Sequence, residues 1–396
     1  MKSTPDAVVI GAGVVGAATA LALTNAGLKV LVIDRGNVAN GTTGAGEGNI
    51  LVSDKGPGAE LLLAKHSRDG WFELARDVGD GDETGGFELE AKGGIVVART
   101  ENGISELSNL ADQQRGAGID ARTLSSSELH DLEPNISNAI HNGVWYPQDA
   151  QCQPMLAAAQ MLKVVRARGG KFIPGATVKK INTLPVRGGG LGQRVSLTGI
   201  ETNVGDFSTS IVINATGTWA GEIAKMAGSS LPIAPRRGFI LVSTPAPKLV
   251  FHKVYDAEYV ANVASGAADM QSSAVVESTQ SGTILIGASR ERVGFKGDLD
   301  VSILRKLAAQ AIELFPLLAS LQLLRAYHGF RPYAPDHLPV IGEDAHVRGL
   351  WHNAGHEGAG IGLSPASAQL ITELVTGQKT FMDPTPFSPV RFRHDE

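Results

Sequence analysis

The stretch AVVIGAGVVGAATALALTNAGLKVLVIDR, residues 7–35, contains the elements of a βαβ unit. Its apolar first strand runs into Gly11, Gly13 and Gly16 at G-x-G-x-x-G spacing, and its second strand ends at Asp34. In such a unit the glycines permit a tight turn, the approach of a pyrophosphate and close packing of helix on strand. The helix N-terminus attracts phosphate, and the acid binds a ribose. The stretch therefore predicts a site for an adenine dinucleotide; a glycine-rich packing turn is the alternative.

Length and composition limit what the rest of the chain can be. At 396 residues it exceeds the size at which one hydrophobic core usually keeps growing, so we expect two domains. A net charge of −5 without a basic block argues against nucleic acid as a partner. The single cysteine, Cys152, excludes an internal disulfide and cannot alone hold a zinc or iron–sulfur cluster. We therefore expect no metal site and a cytoplasmic location.

Residues 7–23 resemble a signal peptide or a membrane span, because they are almost all apolar or small and follow Lys2. Three regularly spaced glycines would weaken such a helix, and a signal peptide would not need the second strand before Asp34. We therefore expect no membrane span.

Hydrophobic periodicity outlines the elements that follow the βαβ unit. The spacing predicts an amphipathic helix over 59–78, and the turn at 79–86 is a candidate domain junction. Further helices are predicted at about 101–116, 125–132, 153–168 and 301–315, and strands at 87–98, 143–147, 171–173, 211–213, 238–242, 272–277 and 283–287. Residues 187–192 predict a flexible hairpin tip. This distribution indicates an α/β protein with a second, antiparallel sheet.

Two segments carry small residues that would let the backbone lie against a flat ligand. Residues 41–50 combine glycines with two threonines, although a surface loop could have the same composition. The apolar strand at 211–213 leads into Ala215-Thr216-Gly217, for which a plain strand-to-helix turn is the alternative. Downstream of the βαβ unit, we interpret both segments as contacts with the dinucleotide.

The last third of the chain contains Gly329-Phe330-Arg331-Pro332 and then a second glycine-rich turn at 354–363. Ser364-Pro365 fits an N-cap followed by proline at the first helical position, so we expect a helix to begin there and end near Thr376. This turn would be a second glycine-rich segment opening onto a helix N-terminus.

These motifs, in this order, resemble the D-amino-acid oxidase/glycine oxidase family of FAD enzymes. The resemblance spans nearly the whole chain and implies an α/β fold, with a Rossmann-like FAD-binding domain of the second glutathione-reductase type (GR2-type) and a second, antiparallel-sheet substrate domain. Residues 46–55 and 356–362 are most similar to the β-type FAD subunits of opine (octopine, nopaline) and D-hydroxyproline dehydrogenases. The implied FAD-binding domain comprises 1–80, 145–235 and 325–396, and the implied substrate-binding domain comprises 81–144 and 236–324.

The resemblance also implies which residues hold FAD, and it implies that FAD is noncovalent because no cysteine lies near Arg331 or His356 for a cysteinyl link. Asp34 and Arg35 would hold the adenosine end, and the glycine-rich turn after 354 would wrap the isoalloxazine. The residues placed on FAD are Gly11, Gly13, Val14, Val15, Gly16, Asp34, Arg35, Thr42, Thr43, Glu47, Gly48, Asn49, Val178, Ala215, Thr216, Gly217, Gly355, His356, Glu357, Gly358, Ala359, Gly360, Ile361 and Gly362.

Arg331 is implied as the clamp on a substrate carboxylate, a role that suits a planar guanidinium. A structural ion-pair residue is the alternative for Arg331, and a packing histidine is the alternative to a catalytic His356. Tyr259 or Tyr255 could offer a hydroxyl to the carboxylate, or be sheet aromatics. Gly358 stands where glycine oxidase has a larger basic residue, so the pocket floor is expected to differ.

The implied reaction oxidises the C–N bond of an amino-acid-type amine, namely an opine, a D-amino acid or an N-substituted amino acid. A hydride would pass to flavin N5, and the resulting imine would hydrolyse to a 2-oxo acid. The chain would be the catalytic β-type subunit of a hetero-oligomeric dehydrogenase, with an α subunit and a small ferredoxin-like subunit as possible partners.

Three alternatives stay open at this point. The chain could be a stand-alone glycine, sarcosine or D-amino-acid oxidase that uses oxygen. It could be a nicotinamide-dependent dehydrogenase, although such folds do not require the Ala-Thr-Gly and C-terminal glycine motifs. It could also be a non-catalytic FAD-binding scaffold subunit. The sequence leaves the electron acceptor and the substrate side chain undetermined.

Overall fold

The computed structural model describes residues 4–185, 194–260 and 266–392, so the predicted hairpin tip at 187–192 lies outside the described residues. The helices, numbered in chain order, are α1 (Val14–Asn25), α2 (Ala59–Val78), α3 (Glu101–Gly116), α4 (Ser126–Leu132), α5 (Pro154–Ala167), α6 (Ala220–Met226), α7 (Val301–Leu314) and α8 (Gly360–Thr376). The helix predicted over 59–78 is α2, with the same bounds.

The strands of the described residues fall into three larger sheets and one small pair. They are β1 (Ala7–Ile10), β2 (Val30–Ile33), β3 (Asn49–Ile50), β4 (Gly94–Val97), β5 (Arg122–Leu124), β6 (Gly143–Tyr146), β7 (Ala150–Gln151), β8 (Lys171–Ile173), β9 (Val178–Pro185), β10 (Val195–Thr202), β11 (Gly205–Ser208), β12 (Val212–Asn214), β13 (Ala234–Ser243), β14 (Lys253–Asp256), β15 (Gln271–Ser278), β16 (Ile284–Arg290), β17 (Leu323–Tyr333), β18 (Val340–Glu343), β19 (Val347–Arg348) and β20 (Leu350–Ala354). The strand expected over 87–98 forms only at β4, because the backbone is left-handed at Gly86 and Glu88.

A six-stranded sheet, in the order β18-β20-β12-β1-β2-β8, contains the βαβ unit at its centre. Its strands are parallel except for β18 at one edge. Val9 and Val32 pack with helix residues on one face, while Val8 and Leu31 pack on the other face with the small sheet of β9, β10, β11 and β19. This alternation follows from the two-residue period of a strand and explains why both strands are continuously apolar.

The predicted start of the last helix, at Ser364-Pro365, is wrong. Helix α8 begins at Gly360, and the proline lies inside it. Proline has no N–H for the carbonyl of Ile361, and that carbonyl accepts instead from Oγ of Ser364 at 3.0 Å and from Nε1 of Trp71 at 3.1 Å. Oγ of Ser67 donates to the next carbonyl at 2.6 Å. Two side chains of α2 thus allow the helix to begin one turn earlier, at the glycine-rich segment itself.

The second sheet has eight strands in the order β17-β13-β16-β15-β14-β4-β6-β5, and all its pairs are antiparallel except β14 with β4. On one face, Phe239 and Leu241 of β13 pack with Leu307 of α7 in a separate core. On the other face, Gly238 and Ile240 of the same strand line a cavity. The sheet therefore forms a wall between its own core and the site described below.

The predicted domain boundaries at 144/145, 235/236 and 324/325 fall inside β6, β13 and β17, which are all strands of the eight-stranded sheet. Domain boundaries placed just after β6, just before β13 and just after β17 would keep all eight strands of this sheet in one domain. The division into an FAD-binding and a substrate-binding domain stays a prediction, and strand pairing favours these adjusted limits.

Candidate active site

The cavity lies where the βαβ unit, the glycine-rich turn before α8 and the inner face of the eight-stranded sheet meet. Segments more than three hundred residues apart in sequence share its wall. The sequence-predicted residues that line it are Gly11, Gly13, Val14, Val15, Asp34, Arg35, Thr42, Thr43, Glu47, Asn49, Val178, Ala215, Thr216, Gly217, Tyr259, Arg331, His356, Glu357, Gly358, Gly360 and Ile361. The fold therefore brings both ends of the predicted cofactor site and the predicted carboxylate clamp into one space.

Five predicted residues, Gly16, Gly48, Gly355, Ala359 and Gly362, are not among the lining residues and instead shape the backbone behind it. A Cβ atom on Gly16 would overlap the carbonyl of Gly11, so this glycine permits close packing of α1 on β1. Gly48 has φ of 94° and lies directly against the carbonyl of Cys152. Gly16 and Gly48 therefore have steric roles, because a side chain at either position would collide with the backbone.

The turn after Gly11 forms a narrow cradle beside the N-terminus of α1. Gly13 is the N-cap of α1 and offers no side chain, while a Cβ atom there would lie 2.9 Å from Oγ1 of Thr43. The N–H of Val14 donates to this Oγ1 at 3.0 Å, so the Thr43 hydroxyl keeps its own proton to donate. Thr42 instead donates to the carbonyl of Phe330 at 2.7 Å. Of the two threonines, Thr43 is the one poised to bind a phosphate oxygen.

At the opposite end of the cradle, Asp34 is held by backbone N–H groups. One carboxylate oxygen accepts from Ala12 at 2.7 Å and the other from Gly36 at 2.7 Å. Each oxygen retains a further lone pair for a ribose hydroxyl. The guanidinium of Arg35 lies over the ring of Trp219, with its central carbon 4.1 Å from the ring centroid. Sequence reasoning missed Trp219, which lines the cavity; its place shortly after Ala-Thr-Gly was the available signal.

A buried polar network that sequence reasoning missed holds the Ala215-Thr216-Gly217 turn. Oδ1 of Asn214 accepts from the Thr216 hydroxyl at 2.7 Å, and its amide lies 3.1 Å from Nδ1 of His352. Nε2 of His352 lies 2.8 Å from Asp344. Burial opposes ionisation of Asp344, but the hydrogen bond and charge of His352 outweigh it and lower the pKa to about 2. His352 thus holds this turn in place as a structural residue.

Arg331 comes from β17 and lies flat over the inner face of the sheet. Its Nη1 donates to the carbonyl of Ser289 at 2.8 Å, and Gly238 leaves space beneath the guanidinium. In the part of the chain that the structure describes, no carboxylate lies within ion-pair distance of Arg331. A Cβ atom on Gly358 would reach only ordinary contact, 3.5 Å from Nε of Arg331. The alternative that Arg331 is a structural ion-pair residue is therefore disfavoured. Its guanidinium lines the cavity.

The carboxylate of Glu357, which also lines the cavity, already has two partners. Glu357 binds Arg236 through one oxygen at 2.5 Å and His337 through the other at 2.9 Å. Its φ of 49° is left-handed, an uncommon conformation for a residue with a side chain. The paired partners hold this conformation, and with it the backbone of the glycine-rich turn beside the cavity.

Of the two candidate tyrosines, Tyr259 lines the cavity, whereas Tyr255 is fully buried and hydrogen-bonded to Ser53. The ring of Tyr259 rests edge-on against Tyr255 with centroids 5.2 Å apart. His356 is buried, with Nε2 3.0 Å from Oγ of Ser367, and burial lowers its pKa to about 3. It is neutral at ordinary pH, and this geometry favours a positioning role.

The residues present fit FAD. Oε1 of Glu47 is buried at the cavity wall and has no hydrogen-bond partner among the described residues, while its other oxygen accepts from Asn49 at 3.1 Å. Nζ of Lys253 donates to Oδ1 of Asn49 at 2.5 Å and so helps to hold the Glu47–Asn49 pair in place. An unsatisfied buried acceptor is costly and is best explained by a bound donor. The cradle at Gly13, the acid at Asp34 and this acceptor are spread along one cavity, as an extended dinucleotide requires.

The described residues contain neither a metal-binding cluster nor a membrane-spanning helix. No group of three or more His, Cys, Asp or Glu side chains there is arranged to hold a metal ion. None of the helices in those ranges has the length and apolar character needed to cross a membrane. Cys152 is buried outside the lining of the cavity, and burial raises the pKa of its thiol.

Known proteins resemble the chain over almost its full length. It is 29% identical over 391 residues to the glycine oxidase of Pseudomonas aeruginosa, which covers 96% of this chain and 98% of that protein. It is 28% identical over 386 residues to the bifunctional protein ThiO/ThiG of a Nostoc species, covering 95% of this chain but only 53% of that protein. The crystal structure of glycine oxidase from Geobacillus kaustophilus superposes with a TM-score of 0.86 at 24% identity, covering 99% of this chain and 100% of that chain.

The model of one protein family, described as DAO, FAD dependent oxidoreductase, matches residues 6–374. This range contains the βαβ unit, Arg331 and the glycine-rich turn before α8. The predicted α/β fold class and the predicted FAD cofactor are thereby confirmed. The chain belongs to the FAD-dependent oxidoreductase family DAO, and it is an oxidoreductase.

Proposed function

We propose that this protein oxidises the C–N bond of an amino-acid-type amine and that Arg331 binds the substrate carboxylate. The observation that carries the proposal is a guanidinium, without a carboxylate partner among the described residues, in the wall of the same cavity as the dinucleotide cradle. A planar guanidinium binds a carboxylate through two parallel hydrogen bonds. A relative named glycine oxidase, which acts on the simplest amino acid, supports the same substrate class.

The reaction balances without a metal. The substrate carbon that bears nitrogen loses a hydride, the nitrogen lone pair forms a C=N bond, and the amine proton leaves to solvent. Water then adds to the imine and gives a 2-oxo acid and an amine. Bound FAD supplies the acceptor for the two electrons.

The residues of the chain would bind the substrate and orient it. Arg331 would hold the carboxylate, Tyr259 would offer its hydroxyl to the same group, and the absence of a side chain at Gly358 would leave room for the rest of the substrate. Orientation of this kind can contribute several kcal/mol, and in the best intramolecular cases roughly 7–11 kcal/mol. His356 is neutral and engaged with Ser367, so we assign it to positioning the turn.

The cradle residues are proposed as the FAD contacts. Val14, Val15 and Thr43 would bind the pyrophosphate, Asp34 the ribose, and the segment from His356 to Ile361 the flavin ring. The start of α8 at Gly360 supports the last assignment, because it brings a helix N-terminus to the cavity where negative charge would be stabilised. Cys152 lies outside the cavity lining, which supports noncovalent FAD.

The finer proposal is that the chain is the catalytic β-type subunit of a hetero-oligomeric dehydrogenase for opines or related N-substituted amino acids. The similarity of residues 46–55 and 356–362 to such subunits supports it, and an α subunit and a small ferredoxin-like subunit are the proposed partners. A stand-alone oxidase that uses oxygen is the second candidate, supported by the glycine oxidase relatives that match 96% of the chain.

The test is anaerobic mixing of the FAD-loaded protein with opines, D-amino acids, sarcosine and glycine, followed by flavin absorbance and by assay of the 2-oxo acid formed. Bleaching by at least one amine, with stoichiometric 2-oxo acid, is expected. Bleaching by none of them would contradict the proposal and favour a non-catalytic scaffold. Admission of oxygen to the bleached protein then separates an oxidase, which regains colour at once, from a dehydrogenase that needs a partner.

A further inference from the structure

Arg290, the last residue of β16, is a buried cation that no role described above explains. Only 4% of its surface is exposed. Its guanidinium carbon lies 5.0 Å from the ring centroid of Tyr259, a residue of the cavity wall. Among the described residues it has neither a hydrogen-bond acceptor nor a carboxylate within ion-pair distance. With only an aromatic neighbour, this guanidinium has N–H donors available for a ligand.

Strand geometry directs the side chain of Arg290 toward the cavity side of the sheet, where it lies beside the lining residue Tyr259 without being a lining residue itself. The neighbouring Glu291 bridges to Arg237 of β13, and Arg237 in turn binds the carbonyls of Lys296 and Asp298 at the outside of the sheet. Successive side chains of a strand point to opposite faces, so the side chain of Arg290 points inward. The carbonyl that accepts from Arg331 belongs to Ser289, the residue directly before Arg290.

The charges on this wall do not balance. Arg236, Arg290 and Arg331 bring three guanidinium groups together, and Glu357 is the carboxylate that faces them. Both oxygens of Glu357 are already bound, to Arg236 and to His337. Burial lowers the pKa of Arg290 to about 10, against the opposing influence of Tyr259 and Glu357, so it still carries its charge at neutral pH.

We propose that Arg290 binds a second carboxylate of the substrate, so that the preferred substrates are amino-acid-type amines with two carboxylates, one held by Arg331 and one by Arg290. The inference rests on the proposed function and narrows its substrate class. A ligand carboxylate would supply the missing counter-charge, and removing the partner of a buried charge is costly. The second carboxylate could be carried by the N-substituent or by the amino-acid side chain.

If Arg290 had a purely structural role, its removal would affect the substrates differently. If the guanidinium only supports the ring of Tyr259 through a cation–π contact, its loss would weaken every substrate alike. If it binds a carboxylate, its loss would weaken only substrates that carry the second carboxylate. Pairs of substrates that differ in that one group therefore separate the two roles.

The experiment measures anaerobic flavin reduction by matched pairs in the FAD-loaded protein. Iminodiacetate against N-(carbamoylmethyl)glycine tests a carboxylate on the N-substituent, and glutamate against glutamine, in both enantiomers, tests one on the side chain. Within the better pair we expect the dicarboxylate to be preferred by roughly 10- to 100-fold in the ratio of reduction rate to dissociation constant. Arg290→Met should abolish this preference and leave the neutral member nearly unchanged, and Arg290→Lys should retain part of it.

Arg325→Met is the matched control, because Arg325 lies in the same sheet over the ring of Tyr327 at 5.3 Å but is exposed to solvent, whereas Arg290 is buried beside Tyr259. It should leave the preference intact. An equal loss for both members of a pair in Arg290→Met, or an unchanged preference, would overturn the proposal. FAD content and melting temperature, measured for each variant, identify a variant that has failed to fold, and Arg290→Lys then decides.

A second readout separates failure of this inference from failure of the proposed function. Thiodiacetate and (methylthio)acetate cannot lose a hydride from a C–N bond, and their binding is measured by the perturbation of flavin absorbance. Tighter binding of thiodiacetate in the wild type, lost in Arg290→Met, would support the inference even if no amine reduced the flavin. Equal binding of both probes in wild type and variant would overturn it, even if a monocarboxylic amine is a good substrate.

Discussion

Arg331 lies across Gly238, and its Nη1 passes through the space that a Cβ atom on Gly238 would occupy. The two residues lie on paired strands, since Arg236, two positions before Gly238, is the register partner of Arg331. A Cβ atom there would also lie 2.5 Å from the carbonyl oxygen of Ser289, the acceptor of the Arg331 hydrogen bond. The position of the proposed carboxylate clamp thus depends on the absence of a side chain at Gly238.

Gly238→Ala should displace Arg331 and weaken substrate binding while FAD remains bound. We expect the dissociation constant of a carboxylate substrate to rise by roughly tenfold or more, because a charge-assisted hydrogen bond contributes about 1.5–3 kcal/mol. Gly56→Ala is the control, because a Cβ atom on Gly56 meets nothing within 4 Å. Unchanged substrate binding in Gly238→Ala would show that the observed position of Arg331 is unimportant.

Thr43→Val should weaken FAD binding. The substitution removes the acceptor of the Val14 N–H, a bond of 3.0 Å, and the hydroxyl proposed to bind a phosphate oxygen. A lost hydrogen bond of about 1 kcal/mol, together with a buried N–H left unsatisfied, predicts a rise in the FAD dissociation constant of roughly 10-fold or more. Titration of the apoprotein with FAD measures it, and Thr43→Ser should bind nearly as the wild type. Equal affinity of Thr43→Val and wild type would remove Thr43 from the cradle.

Ser67→Ala should destabilise the fold at the start of α8. Oγ of Ser67 donates to the carbonyl of Gly362 at 2.6 Å and accepts from the N–H of Ala366, and Ser67 is fully buried. We expect a loss of about 1–3 kcal/mol in the free energy of unfolding, measured in urea. Ser320→Ala is the matched control, since its Oγ makes one bond of 2.8 Å at the surface. A loss no larger than that of the control would argue against this role.

Asp344→Asn should destabilise the protein at neutral pH but not in acid. The folded-state pKa of Asp344, about 2, lies below the ordinary value of 3.8, so ionised Asp344 adds stability above about pH 4, and this stability is lost as pH falls through about 2. The variant should cost about 2 kcal/mol near neutral pH, and the gap to wild type should narrow as the pH falls. A gap that is constant from pH 7 to pH 3 would contradict the assigned charge interaction with His352.

The start of α8 shows that long-range contacts can override a local sequence signal. Ser364-Pro365 has the local pattern of a helix start. The helix begins at Gly360, where Ser67 and Trp71, nearly three hundred residues earlier, donate to the carbonyls of Gly362 and Ile361 beside the local Ser364 hydroxyl. No window around the proline contains that information, whereas α2 was predicted with its bounds because its apolar spacing is local.

The same distinction applies to the site. The glycine spacing, Asp34 and Arg331 could be predicted because motifs carry them. Arg290 and Asp344 could not, since neither belongs to a motif and each acquires its surroundings through strand pairing and burial. For Arg290 in particular, the informative property is that no carboxylate of the described residues lies within ion-pair distance of it, and a sequence does not show which acids come close.

The central claim is that Arg331 selects the carboxylate of an amine substrate, and the most direct measurement removes each partner in turn. Anaerobic flavin reduction by the best amino-acid substrate is compared with reduction by the same amine without its carboxylate, in wild type, Arg331→Lys and Arg331→Met. The wild type should prefer the carboxylate by roughly 100-fold or more, Arg331→Lys by less, and Arg331→Met hardly at all. An undiminished preference in Arg331→Met, with FAD fully bound, would contradict the account.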